Sequence, residues 1–357
     1  MSHLPQAFFQ ALPKVELHCH LLGTVQRATL TDWVARVQAP ISAAEIDTFY
    51  TRGDKPVGVL RVLRALEAQL MRHADDLARL TREYLAAAAA HNVRYAEFFW
   101  NPTGSARDSG IGYGDGVAAI AEAIADAARS YGIVGRLVPA IDREASPRDA
   151  LEMVQWVVKE QRARPRPEVV GIGIDYREVD RPPELFIEAY ALARRHGLKT
   201  TAHAGEFGMP WTNVRTCIEQ LGVDRIDHGY TVVDAPDFAR RCADSGIVFT
   251  VVPTNSYYLR TLAPERWALD HPIRRMPGLG LLIHPNTDDP TLHRVTPTQA
   301  WQKMHLDFGF DAPALRRFML NGLKAAWVDD TTRRRWSLDF EAAFDRLLVA
   351  HPPPQAH

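Results

Sequence analysis

Residues 15–23 of the chain read VELHCHLLG, a short apolar segment that predicts a β-strand. Side chains alternate between the two faces of a strand, so His18 and His20 lie on one face and Cys19 on the other. Two neighbouring imidazoles supply half of the ligands of a metal site. Taken alone, the pair is more simply explained as two polar strand residues with ordinary hydrogen-bond partners. Other residues of the chain are therefore needed to indicate a metal site.

Polar side chains also follow three later apolar runs. His203, His228 and the pair Asp288-Asp289 each stand just after such a run. Taken singly, the two histidines are ordinary core or surface residues, and Asp288 beside Thr287 is an ordinary turn or helix-capping residue. Their recurrence at predicted strand ends indicates one shared site instead.

The order of the predicted elements favours a parallel barrel. Strand-like and helical segments alternate, which predicts a parallel sheet, and eight such units close into a (β/α)8 barrel of the TIM type. A doubly wound open sheet is the structural alternative, but no glycine-rich phosphate loop follows the first strand as that fold would favour. The predicted strands cover residues 15–23, 93–100, 133–138, 169–174, 199–203, 225–228, 247–252 and 280–283. The predicted helices cover residues 5–12, 27–37, two segments between 58 and 90, 116–131, 147–161, 184–196, 212–220, 236–245 and the region after 298.

No linker-like segment divides the chain, so one barrel domain is predicted over residues 1–357. Residues 40–57 are predicted to be irregular, and a long connection over a barrel mouth is typical of a lid. Residues 351–357, which include three consecutive prolines, are predicted to form a loose C-terminal tail.

Composition argues against several classes of partner and site. The 357 residues carry a formal net charge of −1, so neither nucleic acid nor an anionic membrane is a predicted partner. Cys19, Cys217 and Cys242 lie far apart, which argues against a disulfide framework and against a cysteine zinc site. The N-terminus lacks a signal-peptide pattern, and no apolar run reaches the roughly 18 residues of a membrane span. We expect a soluble cytoplasmic protein, and the sequence does not indicate its oligomeric state.

The active site of a (β/α)8 barrel lies at the C-terminal ends of its strands. His18 and His20 end the first predicted strand, His203 the fifth, His228 the sixth and Asp288 the eighth. Three neutral imidazoles and a carboxylate suit zinc, which lowers the pKa of a bound water from about 15.7 to about 7. The residues therefore predict one zinc ion per chain and metal-assisted hydrolysis.

Glu206 follows His203 by three residues in the sequence His-Ala-Gly-Glu. Gly205 permits a sharp backbone bend that would turn the Glu206 carboxylate toward the metal-activated water. A glutamate in that place is suited to move a proton rather than to bind metal. An ordinary loop glutamate is the alternative.

Five motifs resemble those of the adenosine deaminase family within the amidohydrolase superfamily. They occur in the same order and span nearly the whole chain. The motifs are residues 13–21 (PKVELHCHL), 93–97 (VRYAE), 203–206 (HAGE), 225–229 (RIDHG) and 286–290 (NTDDP). The resemblance implies a zinc-dependent aminohydrolase that acts on a 6-aminopurine and releases ammonia or another amine.

The resemblance also implies roles for individual residues. Glu206 would deliver a proton to ring nitrogen 1 and His228 would orient and stabilise the attacking hydroxide, whereas Asp289 would hydrogen-bond ring nitrogen 7. The H-x-E and P-C-x-x-C signature of the other zinc deaminase design is missing from the sequence. The zinc ligands implied by the resemblance are His18, His20, His203 and Asp288.

Several positions depart from the pattern of the adenosine-specific members. Leu22 stands where those members have an acidic residue that contacts the ribose 5′-hydroxyl, and a buried hydroxyl without a partner costs roughly 1–3 kcal/mol. Residues 171–179 (GIGIDYREV) are closer to the adenine deaminase-like branch, with Tyr176 near the place of a glycine that donates to ring nitrogen 3. Arg177 either binds an anionic substituent or forms a surface ion pair. The candidate substrate-binding residues are Leu22, Gly173, Tyr176, Arg177 and Asp289.

Residues 252–256 read VPTNS, where the family usually has Cys-Pro-x-Ser-Asn, so serine and asparagine are exchanged. Phe207 occupies a position that is often polar and adds apolar surface. These departures put the pocket wall in question rather than the zinc chemistry.

The substrate therefore remains open at the level of sequence. We expect a 6-aminopurine nucleoside or free base first, with an N-substituted or 5′-modified adenine derivative as the next alternative. A different hydrolysis on the same metal barrel is a further alternative. A catalytically silent member kept for binding is the rival from another class, and the presence of every expected zinc and catalytic residue argues against it.

Overall fold

The computed structural model describes residues 3–51 and 59–351 of the chain. Within these ranges, eight strands pair in parallel and in chain order, from β1 against β2 to β7 against β8. The strands are β1 Lys14–Glu16, β2 Val93–Trp100, β3 Val134–Asp142, β4 Gly171–Asp175, β5 Lys199–Ala204, β6 Arg225–His228, β7 Val248–Val251 and β8 Leu282–Pro285.

The first and last strands meet through the segments that follow them. The N–H of Asp288 donates to the carbonyl of His18 at 3.0 Å, and the N–H of His20 donates to the carbonyl of Asp288 at 2.8 Å. Cys19 and Asp288 thereby form a parallel bridge. The strands thus form the predicted (β/α)8 barrel, and the open-sheet alternative was wrong.

Helices alternate with the strands and cover the barrel. The helix between β3 and β4 shows how the sequence sets one of them: Ser146 and Asp149 form a capping box at its start, and Met153, Val154 and Val157 are buried. Within the described ranges, the α-helices are α1 Gln6–Ala11, α2 Arg27–Val37, α3 Ala43–Phe49, α4 Val59–Ala65, α5 Ala74–Ala90, α6 Pro102–Gly104, α7 Tyr113–Tyr131, α8 Pro147–Ala163, α9 Ile187–Arg195, α10 Trp211–Thr216, α11 Pro236–Ser245, α12 Ser256–Thr261, α13 Trp267–Asp270, α14 Pro297–Leu306, α15 Ala312–Ala325 and α16 Asp330–Ala350. Three π-helical turns cover Leu66–Leu70, Ser105–Ser109 and Cys217–Leu221.

The first strand is shorter than predicted. Regular pairing ends at Glu16, because the N–H of Leu17 donates to the side chain of Asn286 at 2.8 Å instead of to a neighbouring strand. The chain then continues through an isolated bridge between His20 and Phe99 into a 3-10 turn at Leu21–Thr24. The two histidines of this segment nevertheless face the same side.

The prediction that residues 40–57 are irregular was wrong for part of that segment. Helix α3 begins after Ser42, whose side chain accepts the N–H of Glu45 at 3.1 Å. Ser-x-x-Glu is a capping-box pattern, and this signal was present in the sequence. The remainder of the predicted lid, residues 52–57, lies outside the described residues, as do residues 352–357 of the predicted tail.

The N-terminal end of the barrel is closed by a buried ion pair. Arg225 on β6 and Glu97 on β2 are both almost completely buried and contact each other. The guanidinium of Arg225 also lies 4.1 Å from the ring centroid of Trp327. This ion pair lies inside the barrel, away from the C-terminal ends of the strands.

Helices with the length and apolarity required to cross a bilayer are absent from residues 3–51 and 59–351.

Candidate active site

The C-terminal ends of β1, β5 and β8 bring three imidazoles and a carboxylate together. One oxygen of Asp288 lies 3.4 Å from Nε2 of His18 and 3.1 Å from Nε2 of His20. Nε2 of His203 lies 3.2 Å from the same nitrogen of His20. One potential ligand atom from each of these four residues lies within 4.8 Å of all the others.

Each imidazole is held on its far side by a second polar group. Nδ1 of His18 lies 3.1 Å from the hydroxyl and 3.2 Å from the carbonyl of Thr250. A carboxylate contacts each of the other two rings. Nδ1 of His20 lies 3.2 Å from Asp175, and Nδ1 of His203 lies 3.3 Å from Asp227. Such outer partners orient histidine ligands in metal sites.

These residues fit a divalent metal ion by the chemistry of their donors. Nε2 of His18 is completely buried and has no hydrogen-bond partner among the described residues. Leaving a buried polar atom unsatisfied costs about 1–3 kcal/mol, which a bound cation would remove. Three imidazoles and one carboxylate form a ligand set that zinc accepts.

The charges of the cluster match that assignment. Burial raises the pKa of Asp288, but the neighbouring imidazoles of His18 and His20 outweigh burial and hold that pKa well below its ordinary value. Burial and the neighbouring His18 lower the pKa of His203, which favours its neutral form. Burial opposes protonation of His20, yet Asp175 and Asp288 raise its pKa well above 6.5. A cation bound here would compete with a proton for His20.

Three side chains at or just after the ends of strands β4, β6 and β8 start from left-handed backbone. The φ angles are 65° at Tyr176, 65° at His228 and 67° at Asp288. Non-glycine residues rarely adopt this conformation, and such strain concentrates at functional sites. At each of these three positions the backbone turns sharply where the strand ends, and this turn directs the side chain inward.

Glu206 and His228 form the second half of the cluster. Oε2 of Glu206 lies 3.5 Å from Nε2 of His228. Burial and the nearby Asp288 carboxylate raise the pKa of Glu206 well above its ordinary value, whereas burial holds the pKa of His228 well below 6.5. Glu206 is therefore positioned as a proton donor beside a neutral imidazole.

These groups form the floor of a cavity of about 500 Å³. His20, His203, Glu206 and Asp288 lie at its inner end. The upper walls are largely apolar and aromatic, with three arginines among them. Asp175 and Asp289 also line the cavity, and the lining residues above the floor are Val59, Leu60, Arg61, Leu63, Tyr176, Arg177, Val179, Phe207, Ser256, Tyr257, Arg260 and His293.

Comparison with known proteins relates this architecture to one family. The sequence profile described as Adenosine deaminase matches residues 13–339, which is most of the chain. The chain belongs to the adenosine deaminase family.

Relatives within the family agree with this placement. An adenine deaminase of Cupriavidus taiwanensis is 30% identical over 348 residues, covering 96% of this chain and 94% of that protein. An adenine deaminase of Sphingopyxis alaskensis is 33% identical over 289 residues, covering 80% and 81%.

Solved structures give the same result. A Burkholderia ambifaria amidohydrolase with bound zinc has 60% identity and a TM-score of 0.94, with 97% of this chain and 94% of that chain covered. Adenine deaminase from Arthrobacter aurescens has 26% identity and a TM-score of 0.82, with 93% and 98% covered.

In this adenosine deaminase family member, the candidate substrate-binding residues divide into two groups. Tyr176, Arg177 and Asp289 line the cavity. Arg177 also forms the surface ion pair that was its alternative explanation, with Nε 2.6 Å from Glu144. Leu22 instead packs in the main hydrophobic core and does not line the cavity.

Gly173 also lies outside the cavity, and its environment gives it a different role. A Cβ atom at this position would lie 2.9 Å from the ring of Phe99. That ring packs against the imidazoles of His20 and His203, with centroids 5.2 and 5.4 Å away. Gly173 therefore makes room for the aromatic ring that packs against the imidazoles of this cluster.

The sequence interpretation missed the residues that hold the cluster from behind. Asp175 and Asp227 orient two histidines, and Asn255 donates to Oε1 of Glu206 at 3.0 Å. Both aspartates stood at predicted strand ends, which was the available signal. The exchanged asparagine was assigned only to the pocket wall, but it contacts the predicted proton donor.

Tyr176 is fixed from outside the cavity by a buried carboxylate. Its hydroxyl donates to Oε2 of Glu67 at 3.3 Å, and the guanidinium of Arg64 lies 4.0 Å from its ring centroid. Burial raises the pKa of Glu67 from 4.5 to about 7, although the Arg64 guanidinium opposes the change. The charge of Glu67 is therefore costly in the folded state.

Replacing Glu67 with glutamine is expected to make stability less dependent on pH. Folded Glu67 binds its proton more tightly than the unfolded chain does, so its contribution to the free energy of unfolding is lost as pH rises from 4.5 to about 7. We expect the free energy of unfolding of the variant, relative to that of the wild type, to rise by up to about 3 kcal/mol between pH 5 and pH 8. Urea unfolding at the two pH values measures this difference. Parallel pH profiles for the two proteins would contradict the burial argument.

Proposed function

We propose that this protein hydrolyses the exocyclic amine of a 6-aminopurine, with zinc as cofactor, to give the 6-oxopurine and ammonia. The observation that carries the proposal is the joint arrangement at one cavity of a zinc-type ligand set and a carboxyl group whose pKa is raised by burial. The carboxyl group is Glu206, which lies 3.5 Å from His228. Deamination of a ring amidine requires both a nucleophile at carbon 6 and a proton at the ring.

Zinc, when bound, supplies the acidification of water that makes a nucleophile near neutral pH, from a pKa of about 15.7 to about 7. The residues proposed to hold it are His18, His20, His203 and Asp288, whose donor atoms lie within 4.8 Å of one another. Thr250, Asp175 and Asp227 keep the three rings in place.

The protein's own groups perform the proton chemistry in this proposal. Glu206 delivers its proton to ring nitrogen 1, which makes carbon 6 more electrophilic, and then accepts a proton for transfer to the leaving amine. His228, neutral and buried, accepts a hydrogen bond from the attacking water and orients it. Asp289 fixes the purine through a hydrogen bond with ring nitrogen 7.

Adenine itself is the first substrate that we propose. Adenine deaminases are among the relatives that cover nearly the whole chain, as in the 96% covered by the Cupriavidus taiwanensis protein. The carboxylate that adenosine-specific members direct at the ribose 5′-hydroxyl is replaced by Leu22, which is buried in the core. A ribose therefore lacks that partner here.

An N-substituted or 5′-modified adenine is the second candidate. The cavity of about 500 Å³ is within the range of roughly 300–1,000 Å³ that suits drug-sized ligands and is larger than a bare purine needs. Its upper walls include Leu60, Leu63 and Phe207, which offer apolar surface to a substituent.

Separate incubation of the zinc-loaded protein with four compounds tests the proposal. The compounds are adenine, adenosine, 5′-methylthioadenosine and N6-methyladenine, and the ultraviolet change on loss of the 6-amine reports turnover. We expect adenine to be converted fastest. Faster turnover of a modified compound would select the second candidate, and no turnover of any compound with zinc bound would contradict the proposed function and favour a binding protein.

A further inference from the structure

Glu178 is a buried carboxylate in the loop that follows β4, three residues after Asp175. Its side chain accepts three hydrogen bonds from the neighbouring β5 loop and helix α10. Oε1 accepts the N–H of Gly205 at 3.1 Å and Nδ2 of Asn213 at 2.8 Å, and Oε2 accepts the N–H of Glu206 at 3.3 Å. The residue thus contacts the backbone of the proposed proton donor itself.

The turn at Gly205 explains why a carboxylate fits there. Its φ angle is 64°, a left-handed conformation, and the successive N–H groups of Gly205 and Glu206 both point at Glu178. Paired backbone N–H groups of this kind form a concave site for an anion. A Cβ atom at Gly205 would lie 2.4 Å from the hydroxyl of Thr231, so the turn is closely confined.

Glu206 is consequently held at two places. Glu178 holds its backbone N–H, and Asn255 donates to its carboxyl oxygen at 3.0 Å. Between these two contacts, the carboxyl group is directed at His228. A displacement of about 1 Å at a reacting group can reduce a rate on the order of 100-fold.

We propose that Glu178 is a positioning residue for the deamination, which sets the Gly205 turn and thereby aims the carboxyl group of Glu206. This inference rests on the proposed function, because Glu206 is its proton donor. Glu178 does not line the cavity.

The variant Glu178→Gln tests this role. Its amide has nearly the same shape but one oxygen, so an N–H group now faces the N–H of Gly205 or of Glu206. We expect kcat to fall about 10- to 100-fold, with KM and zinc content little changed, as for groups that orient an active-site residue.

Asp224→Asn is the matched control. Asp224 also accepts a backbone N–H, that of Thr200 at 2.8 Å, but at the opposite end of the barrel. This variant should lose stability without losing kcat. If Glu178→Gln lowers the melting temperature to the same extent and leaves kcat unchanged, Glu178 is structural only and the inference is overturned.

Crystal structures of the zinc-loaded wild type and the Glu178→Gln variant separate this inference from the proposed function. A displaced Glu206 carboxyl group is the expected result. If the wild type converts no 6-aminopurine, the proposed function fails, and an undisplaced Glu206 would independently overturn the positioning role.

Discussion

Replacing Glu206 with glutamine is expected to lower kcat for the 6-aminopurine substrate by about 10²–10⁴-fold while leaving the zinc content unchanged. The amide retains an oxygen that can accept from Asn255, so the side chain keeps its place. It has no acidic proton to deliver to the ring. Steady-state kinetics with metal analysis of the same preparation measures both quantities.

Glu219→Gln is a suitable control for this substitution. Glu219 is a partly exposed carboxylate paired with Arg241 on the outside of the barrel. Its variant should keep wild-type kinetics. Near-normal turnover by the Glu206→Gln variant would remove Glu206 from the chemistry, whatever the control shows.

Replacing His203 with alanine is expected to abolish stable zinc binding and, with it, turnover. His203 lies near the end of β5, and its Nε2 is directed at His20. It contributes one of the four clustered donors. Loss of an outer partner costs about 10–100-fold in metal affinity, so loss of a ligand should exceed that range. Elemental analysis after dialysis measures the zinc, and added zinc should raise the melting temperature of the wild type alone.

His228→Ala distinguishes the ligand set from its neighbour. Glu206, His228 and Asp288 also have donor atoms close enough to hold an ion, so the rival set is a real one. We expect the His228→Ala variant to keep zinc and lose turnover. Retention of zinc by His203→Ala together with its loss from His228→Ala would reverse the assignment.

The sequence predicted the barrel because its signals are local and repeated. Apolar runs separated by amphipathic segments identified all eight strands, and the terminal polar residues marked the end of the barrel that carries the cluster. The closure of β8 onto β1 was not visible, because it depends on backbone contacts between Asp288 and the segment from His18 to His20. The capping signal at Ser42 was present but outweighed by the aromatic and glycine content around it.

Prediction of the site was limited by what sequence cannot locate in space. The four proposed ligands follow strands and could be predicted to converge, and they do. Leu22 and Gly173 were expected to contact substrate, but one packs in the core and the other makes room for Phe99. Asn255 could not be connected with Glu206, because that contact joins loops 49 residues apart.

Stepwise addition of zinc to the metal-free protein, with adenine turnover followed by ultraviolet absorbance, tests the central claim most directly. We expect no turnover without metal and a rise in turnover that saturates at one zinc per chain. Turnover that is unaffected by removal of the metal would contradict it.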